Sequence, residues 1–297
     1  MRTNRFFALL LLVGNLLASC SPMEDDWWTQ NEIISTNWMQ ANPETGRRPV
    51  GLNGYTAFYY PQEGSIRFYE YEMPDERSEV DVKNGMYDIL VTQKNEFMNR
   101  MEMYRTTILV LPTEYDTNGE MLISKNPEEM IYYGTVENAP IKEETRTVRH
   151  LIMKRCLKKI NFIVNVKDSM ELTKNVEVDI AGLATQMKMN NGMIDTQKQA
   201  VLKFPIHKYG RAENTSDGFV TCFKGHEYLL GVSGKNILYL SFIDGGGKRQ
   251  KLSLDLTPYL HYWSTEEVTV TLNVDAEKGI MTKGEWSEGS TDITIDL

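Results

Sequence analysis

From Gly54 onward, polar and apolar positions alternate in twos. The run 55–60 is densely aromatic, 65–71 alternates, and 86–92 follows the turn pair Asn84-Gly85. A further apolar stretch, 106–111, is stopped by Pro112. This period predicts strands with one face covered and the other wet. A second set opens with the longest β-run, 147–166, in which Ile160, Phe162, Val164 and Val166 share a face. It continues with strands predicted over 175–180, 199–205, 218–223, 237–243, 248–256, 268–274 and 292–297. Asn190-Asn191-Gly192 and Gly245-Gly246-Gly247 supply turns suited to antiparallel strands. The best helical turn is 126–130, with Asn126 as cap and Pro127 at the first position. Strands without intervening long helices predict an all-β fold rather than βαβ units. The polar run Lys142 to Arg146 separates the sets, dividing the body into antiparallel β-sandwich domains over 51–144 and 145–297. The stretch 20–50 has little periodicity and reads as a tether.

Ahead of it stand Arg2 and Arg5, an uncharged apolar run from Phe6 to Leu17, and then Leu17-Ala18-Ser19-Cys20. That order is a secretory signal over 1–19 ending in a lipoprotein cleavage box, and the run is too short to span a bilayer. The chemistry requires the cysteine, whose thiol takes the diacylglycerol and whose freed amine is then acylated. Each buried methylene contributes about 0.8 kcal/mol, so several acyl chains on Cys20 imply lasting attachment. Glu24, Asp25 and Asp26 come next, an acidic patch like the surface-export signals found beside lipid cysteines. The formal net charge of -9 becomes more negative once Arg2 and Arg5 leave with the signal. An acidic body of this kind argues against a nucleic-acid partner, since phosphates need a basic footprint. The other cysteines, Cys156 and Cys222, lie in apolar runs and read as buried thiols, although an exported protein permits a bridge.

Catalytic and cofactor motifs are missing from the pattern. His150, His207, His226 and His261 lie far apart, without ligand spacing, so neither a metal nor any other cofactor is expected. Gly245-Gly246-Gly247 falls between strands and reads as a hairpin turn rather than a phosphate cradle. Trp27, Trp28 and Trp38, and Tyr259, Tyr262 and Trp263 around His261, are aromatic groups able to stack on sugars or to pack on the body. Asp168-Ser169-Met170 matches a short O-glycosylation acceptor, making Ser169 a candidate for modification.

Four fragments in order resemble the fimbrillin-like surface lipoproteins of Bacteroidetes, which include fimbrial subunits and anchors. They are Gly85-Met86-Tyr87-Asp88-Ile89-Leu90-Val91, the basic-apolar strand from Arg149 to Phe162, Val178 to Ala184 with Asn191-Gly192 after it, and Gly284-Glu285-Trp286 with the alternating tail. The resemblance implies two transthyretin-like sandwiches in a non-enzymatic lipoprotein, anchored in the outer membrane and exposed at the cell surface. It implies a fimbrial subunit or anchor that acts in adhesion, with other fimbrial subunits as partners by strand addition and a host or bacterial surface ligand as a further one. In polymerising members a protease cuts after an arginine and frees a groove, which makes Arg47 and Arg48 candidates, although a paired arginine in a loop is more often only a solvated charge. Ile293, Ile295 and Leu297 alternate with polar residues and are candidates for strand exchange or for a closing strand. The alternative function is a glycan-binding lipoprotein of a polysaccharide-uptake system.

Replacing Cys20 by alanine is expected to abolish incorporation of a palmitate analogue and to release the chain from the membrane fraction. Retained label on Cys20→Ala would contradict the lipobox reading.

Overall fold

The computed structural model describes residues 29–288, apart from 50–53, 65–67, 94, 100–102, 143–145, 169–171, 173–175, 215–217, 245 and 262–264. The strands of the first half are β1 (Thr29–Asn37), β2 (Tyr55–Pro61), β3 (Tyr69–Met73), β4 (Arg77–Lys83), β5 (Gly85–Gln93), β6 (Met98–Asn99), β7 (Ile108–Val110), β8 (Thr113–Tyr115), β9 (Met121–Ile123) and β10 (Tyr132–Ile141). Those of the second half are β11 (Val148–Ile152), β12 (Lys154–Arg155), β13 (Lys158–Asp168), β14 (Val176–Ala184), β15 (Gln186–Lys188), β16 (Gln199–Asn214), β17 (Gly218–Leu229), β18 (Ile237–Ile243), β19 (Arg249–Asp255), β20 (Glu267–Asp275) and β21 (Ile280–Glu288). A short helix, α1 (Thr257–Leu260), interrupts them. The chain is all-β, as the alternation predicts.

Among the described residues three sheets form around the first half, the smallest of them ordered β15-β7-β6. A three-stranded sheet runs β11-β1-β4, and a five-stranded one runs β12-β10-β5-β2-β3. All of Tyr55 to Tyr60 is buried, so β2 is covered on both faces. One face meets Trp38 and Glu32 of the other sheet, and the opposite face carries Phe58 and Tyr60 against Phe68 and Tyr104. That explains why an aromatic run, rather than a clean alternation, occupies this central strand.

In the second half one path runs β19-β18-β14-β16-β17-β13-β20-β21. The long strand β16 makes the turn between its layers, pairing with β14 up to Ile206 and with β17 from His207. Pro205, which cannot donate a ladder hydrogen bond, falls just before the switch. Ile160, Phe162, Val164 and Val166 line one face of β13 and are all buried. Pairing also crosses the middle of the chain, since β7 joins β15 and β9 joins β16.

Several expectations are corrected. The tether over 20–50 holds a full strand, β1, and Trp38 beyond it is only 1% exposed. The weak alternation there reflects a strand buried on both sides at Ile33 and Ile34. The run 147–166 is three strands, because the buried Met153, Cys156 and Leu157 break the period where the chain leaves one sheet for the next. Residues 126–130 are not helical. The Asn126 side-chain amide donates instead to the Glu227 carboxylate at 2.7 Å and the Tyr228 carbonyl at 2.9 Å, a tertiary tie in place of a cap. Cys156 and Cys222, by contrast, are free and buried as expected, and burial pushes both thiols above their ordinary pKa.

Gly182 sits in the β14 bulge with φ +74, and a Cβ there would lie 2.4 Å from the Lys235 carbonyl oxygen. Gly182→Ala is expected to cost at least about 2 kcal/mol and to lower Tm by roughly 5 °C or more. Gly119 also has a positive φ but nothing within 4 Å of its Cβ position, so Gly119→Ala should cost only about 1 kcal/mol. Thermal unfolding of both variants checks the contrast, and equal Tm values would refute it.

Candidate functional site

The feature with the most functional content is the seat of β1. On one side it pairs in parallel with β11, from Ile33 opposite Val148 to Asn37 opposite Ile152. On the other it pairs antiparallel with β4, from Thr29 opposite Lys83 to Ser35 opposite Arg77. Its neighbours are thus distant in sequence on both sides, and neither contact is a hairpin. A strand held in this way is fixed by backbone hydrogen bonds and by the side chains that its groove accepts.

Those side chains are specific. Glu32, Ile34 and Trp38 are even-spaced, share one face, and are at most 1% exposed. Trp38 meets Tyr55 edge-on at 5.2 Å and Tyr132 at 5.4 Å, while its indole N–H donates to the Thr36 hydroxyl at 3.0 Å. Glu32 accepts from the Arg149 guanidinium of β11 and from the Tyr59 hydroxyl of β2 at 3.3 Å. Arg149 also donates to the Pro140 carbonyl. Burial pushes the Glu32 carboxyl above its ordinary range, and the contacts with Arg149 and Tyr59 pull the other way. A buried ion pair adds little net stability over apolar packing of the same shape, yet leaving one partner alone is costly. The pair therefore fixes register, because a two-residue slip would put Gln30 or Ile34 in the place of Glu32.

After β1 the chain makes a tight turn past Trp38, where the Ala41 carbonyl accepts from Arg155 at 2.8 Å. The turn ends at the two candidate arginines, which differ. Arg47 is exposed, and its carbonyl accepts from the Asn42 amide at 2.9 Å. Arg48 is tied to the body: its N–H donates to Glu76 at 2.7 Å, its guanidinium donates to the Pro74 carbonyl at 2.9 Å, and it lies 4.7 Å from the Tyr55 ring centre.

The remaining candidates do not gather here. Cys20, the acidic residues 24–26, Trp27, Trp28, Ser169, Tyr262, Trp263, Ile293, Ile295 and Leu297 lie outside the described residues. Trp38 is core, so it offers no sugar platform, and Tyr259 is covered by Lys283 at 4.0 Å. A cleft of about 780 Å³ opens between Pro74 and Pro127, but its aromatic rings, Tyr55 and Phe97, are 3% and 7% exposed and present no open face. No group of three His, Cys, Asp or Glu able to hold a metal occurs among the described residues, and no helix there is long and apolar enough to cross a membrane. Sequence reasoning missed Glu32 and Arg149 as a pair. An acidic residue beside Ile33-Ile34 was the available signal, and only the parallel pairing shows its partner.

Arg149→Met, which strands Glu32 in the interior, is expected to destabilise the protein by about 3–5 kcal/mol. The double change Glu32→Leu with Arg149→Met should recover most of that. Urea unfolding measures both, and a single variant as stable as wild type would contradict the buried pair.

The fold has parallels among solved structures. A candidate adhesin from Bacteroides ovatus matches with a TM-score of 0.57 at 20% identity, over 82% of this chain and 89% of that one. The fimbrial anchor protein Mfa2 from Porphyromonas gingivalis matches with a TM-score of 0.52 at 12% identity, over 87% and 96%. A candidate polysaccharide-binding protein from Bacteroides thetaiotaomicron gives 0.52 at 11% identity, over 86% and 98%. At such identities the likeness is one of fold. No curated protein sequence matches the chain. The model of the fimbrillin-A associated anchor proteins Mfa1 and Mfa2, however, matches residues 63–296, and the chain belongs to that family.

Proposed function

We propose that this chain is a cell-surface fimbrial protein, an anchor or a subunit, held in the outer membrane by lipid on Cys20 and joined to its neighbours by strand addition. Its main support is the seat of β1, a strand bound on both sides by distant segments and followed by an exposed arginine turn. A cut in that turn would sever β1 from the body while leaving its groove intact, and a strand from another subunit could then enter through the same backbone hydrogen bonds. Family membership supports the surface and fimbrial setting. The body then divides into two functional units near residue 144, the first carrying the groove and the second carrying the C-terminal tail as a donor strand for the groove of a different subunit protein.

Of the two arginines, Arg47 is the one offered to a protease, because a cleavage pocket must take the whole guanidinium and that of Arg48 is engaged by Pro74 and Tyr55. An uncut chain keeps both its lipid and its own strand, which suits an anchor. A cut chain loses the lipid and suits a polymerising subunit.

Isolation of surface filaments, followed by mass determination of the chain's N-terminus, tests the reading. The chain is expected in the filament fraction, starting at lipidated Cys20 if it anchors or at Arg48 if it polymerises, and Arg47→Ala should prevent the second form. Absence from filaments, with full protection from protease on intact cells, would overturn it.

A further inference from the structure

We infer that the β1 groove selects its occupant by a carboxylate: the strand that fills it must place an acidic side chain between Arg149 and Tyr59, and that occupant is a segment of a different protein rather than the tail of a second copy. The inference rests on the strand-exchange reading and names the partner chemistry of that site.

Charge complementarity carries it. The Arg149 and Glu32 side chains are 16% and 2% exposed, so solvent cannot replace the carboxylate once the groove is filled. Tyr59, on the opposite sheet, aims its hydroxyl at the same carboxylate. An occupant with an apolar or amide residue there would bury the guanidinium without its counter-ion, a penalty that weakens binding by more than about a hundredfold. The groove also sets two later positions on the same face of the occupant. Two residues beyond the acid it takes an aliphatic side chain, as Ile34, and six residues beyond it takes a large aromatic, as Trp38, against Tyr55 and Tyr132.

The chain's own tail lacks this pattern. In Asp292-Ile293-Thr294-Ile295-Asp296-Leu297 the acids and the apolar residues fall on opposite faces of an extended strand. Setting Asp292 in the place of Glu32, in the orientation of β1, would put Thr294 in the place of Ile34 and a second acid, Asp296, in the place of Thr36. Setting Ile293 there instead would strand Arg149. Neither frame satisfies the groove, so the tail of a second copy is excluded as donor by the same contact that admits an acidic strand.

The test uses the full mature chain with a single sequence-specific protease site built into the turn before Arg48. After cutting, labelled peptides are offered and displacement of the resident N-terminal fragment is followed by native mass spectrometry and anisotropy. The probes are residues 29–42, the same peptide with Glu32→Gln, and residues 289–297. The wild-type peptide is expected to exchange in, with the Gln peptide and the tail peptide each binding more than about a hundredfold more weakly. In an Arg149→Met chain the preference for Glu over Gln should vanish. Equal binding of the Glu and Gln peptides would overturn the carboxylate selection while leaving strand exchange standing. Tight binding of the tail peptide would overturn the exclusion of a second copy's tail. Failure of the wild-type peptide to exchange at all would overturn both this inference and the strand-exchange reading.

Discussion

Backbone pairing of β1 with two strands that are remote in sequence is the constraint on which the three-stranded sheet depends. Without β1, β4 and β11 would have no partner in common, since they meet only through it in the order β11-β1-β4. Each would present a row of unpaired N–H and C=O groups, and unpaired edges recruit strands. Ile34 and Trp38 would also leave the core beneath them, uncovering Tyr55 and Tyr132. The hydrophobic gain of these side chains and the ladder hydrogen bonds thus act together. The Glu32–Arg149 pair supplies register, because one placement alone satisfies both charges.

Much of the fold was legible from residues alone. The face of Ile160, Phe162, Val164 and Val166 on β13 follows from alternation, and the Gly- and Asn-rich turns fall between strands as expected. Other elements were hidden for physical reasons. β1 is buried at adjacent positions, Ile33 and Ile34, so it lacks the alternation that reveals a half-exposed strand. The run 147–166 was continuous in β-propensity, but the chain crosses between sheets at Met153 and again at Cys156-Leu157, and local patterning does not encode such a crossing. Asn126 and Pro127 carry the grammar of a helix start, which a tertiary contact with Glu227 overrides.

The candidate site was legible only in part. The paired arginines stood out as charges in a polar stretch, yet their difference came from tertiary contacts: Arg48 is held by Glu76, Pro74 and Tyr55, while Arg47 projects from the turn. Trp38 drew notice as one of a cluster of tryptophans suited to sugars, and burial gives it the opposite role. Glu32 and Arg149 are separated by more than a hundred residues, and only parallel pairing brings them together. Non-local pairing of this kind is also what single-sequence patterns carry least well.

β1 is thus a full member of the folded core although both of its ladder partners are remote along the chain. Amide hydrogen exchange of the intact mature protein measures this directly. Protection of Ile33 to Asn37 comparable to that of Ile89 to Thr92 in β5 is the predicted result. Exchange of Ile33 to Asn37 as fast as in the exposed turn around Arg47 would contradict it.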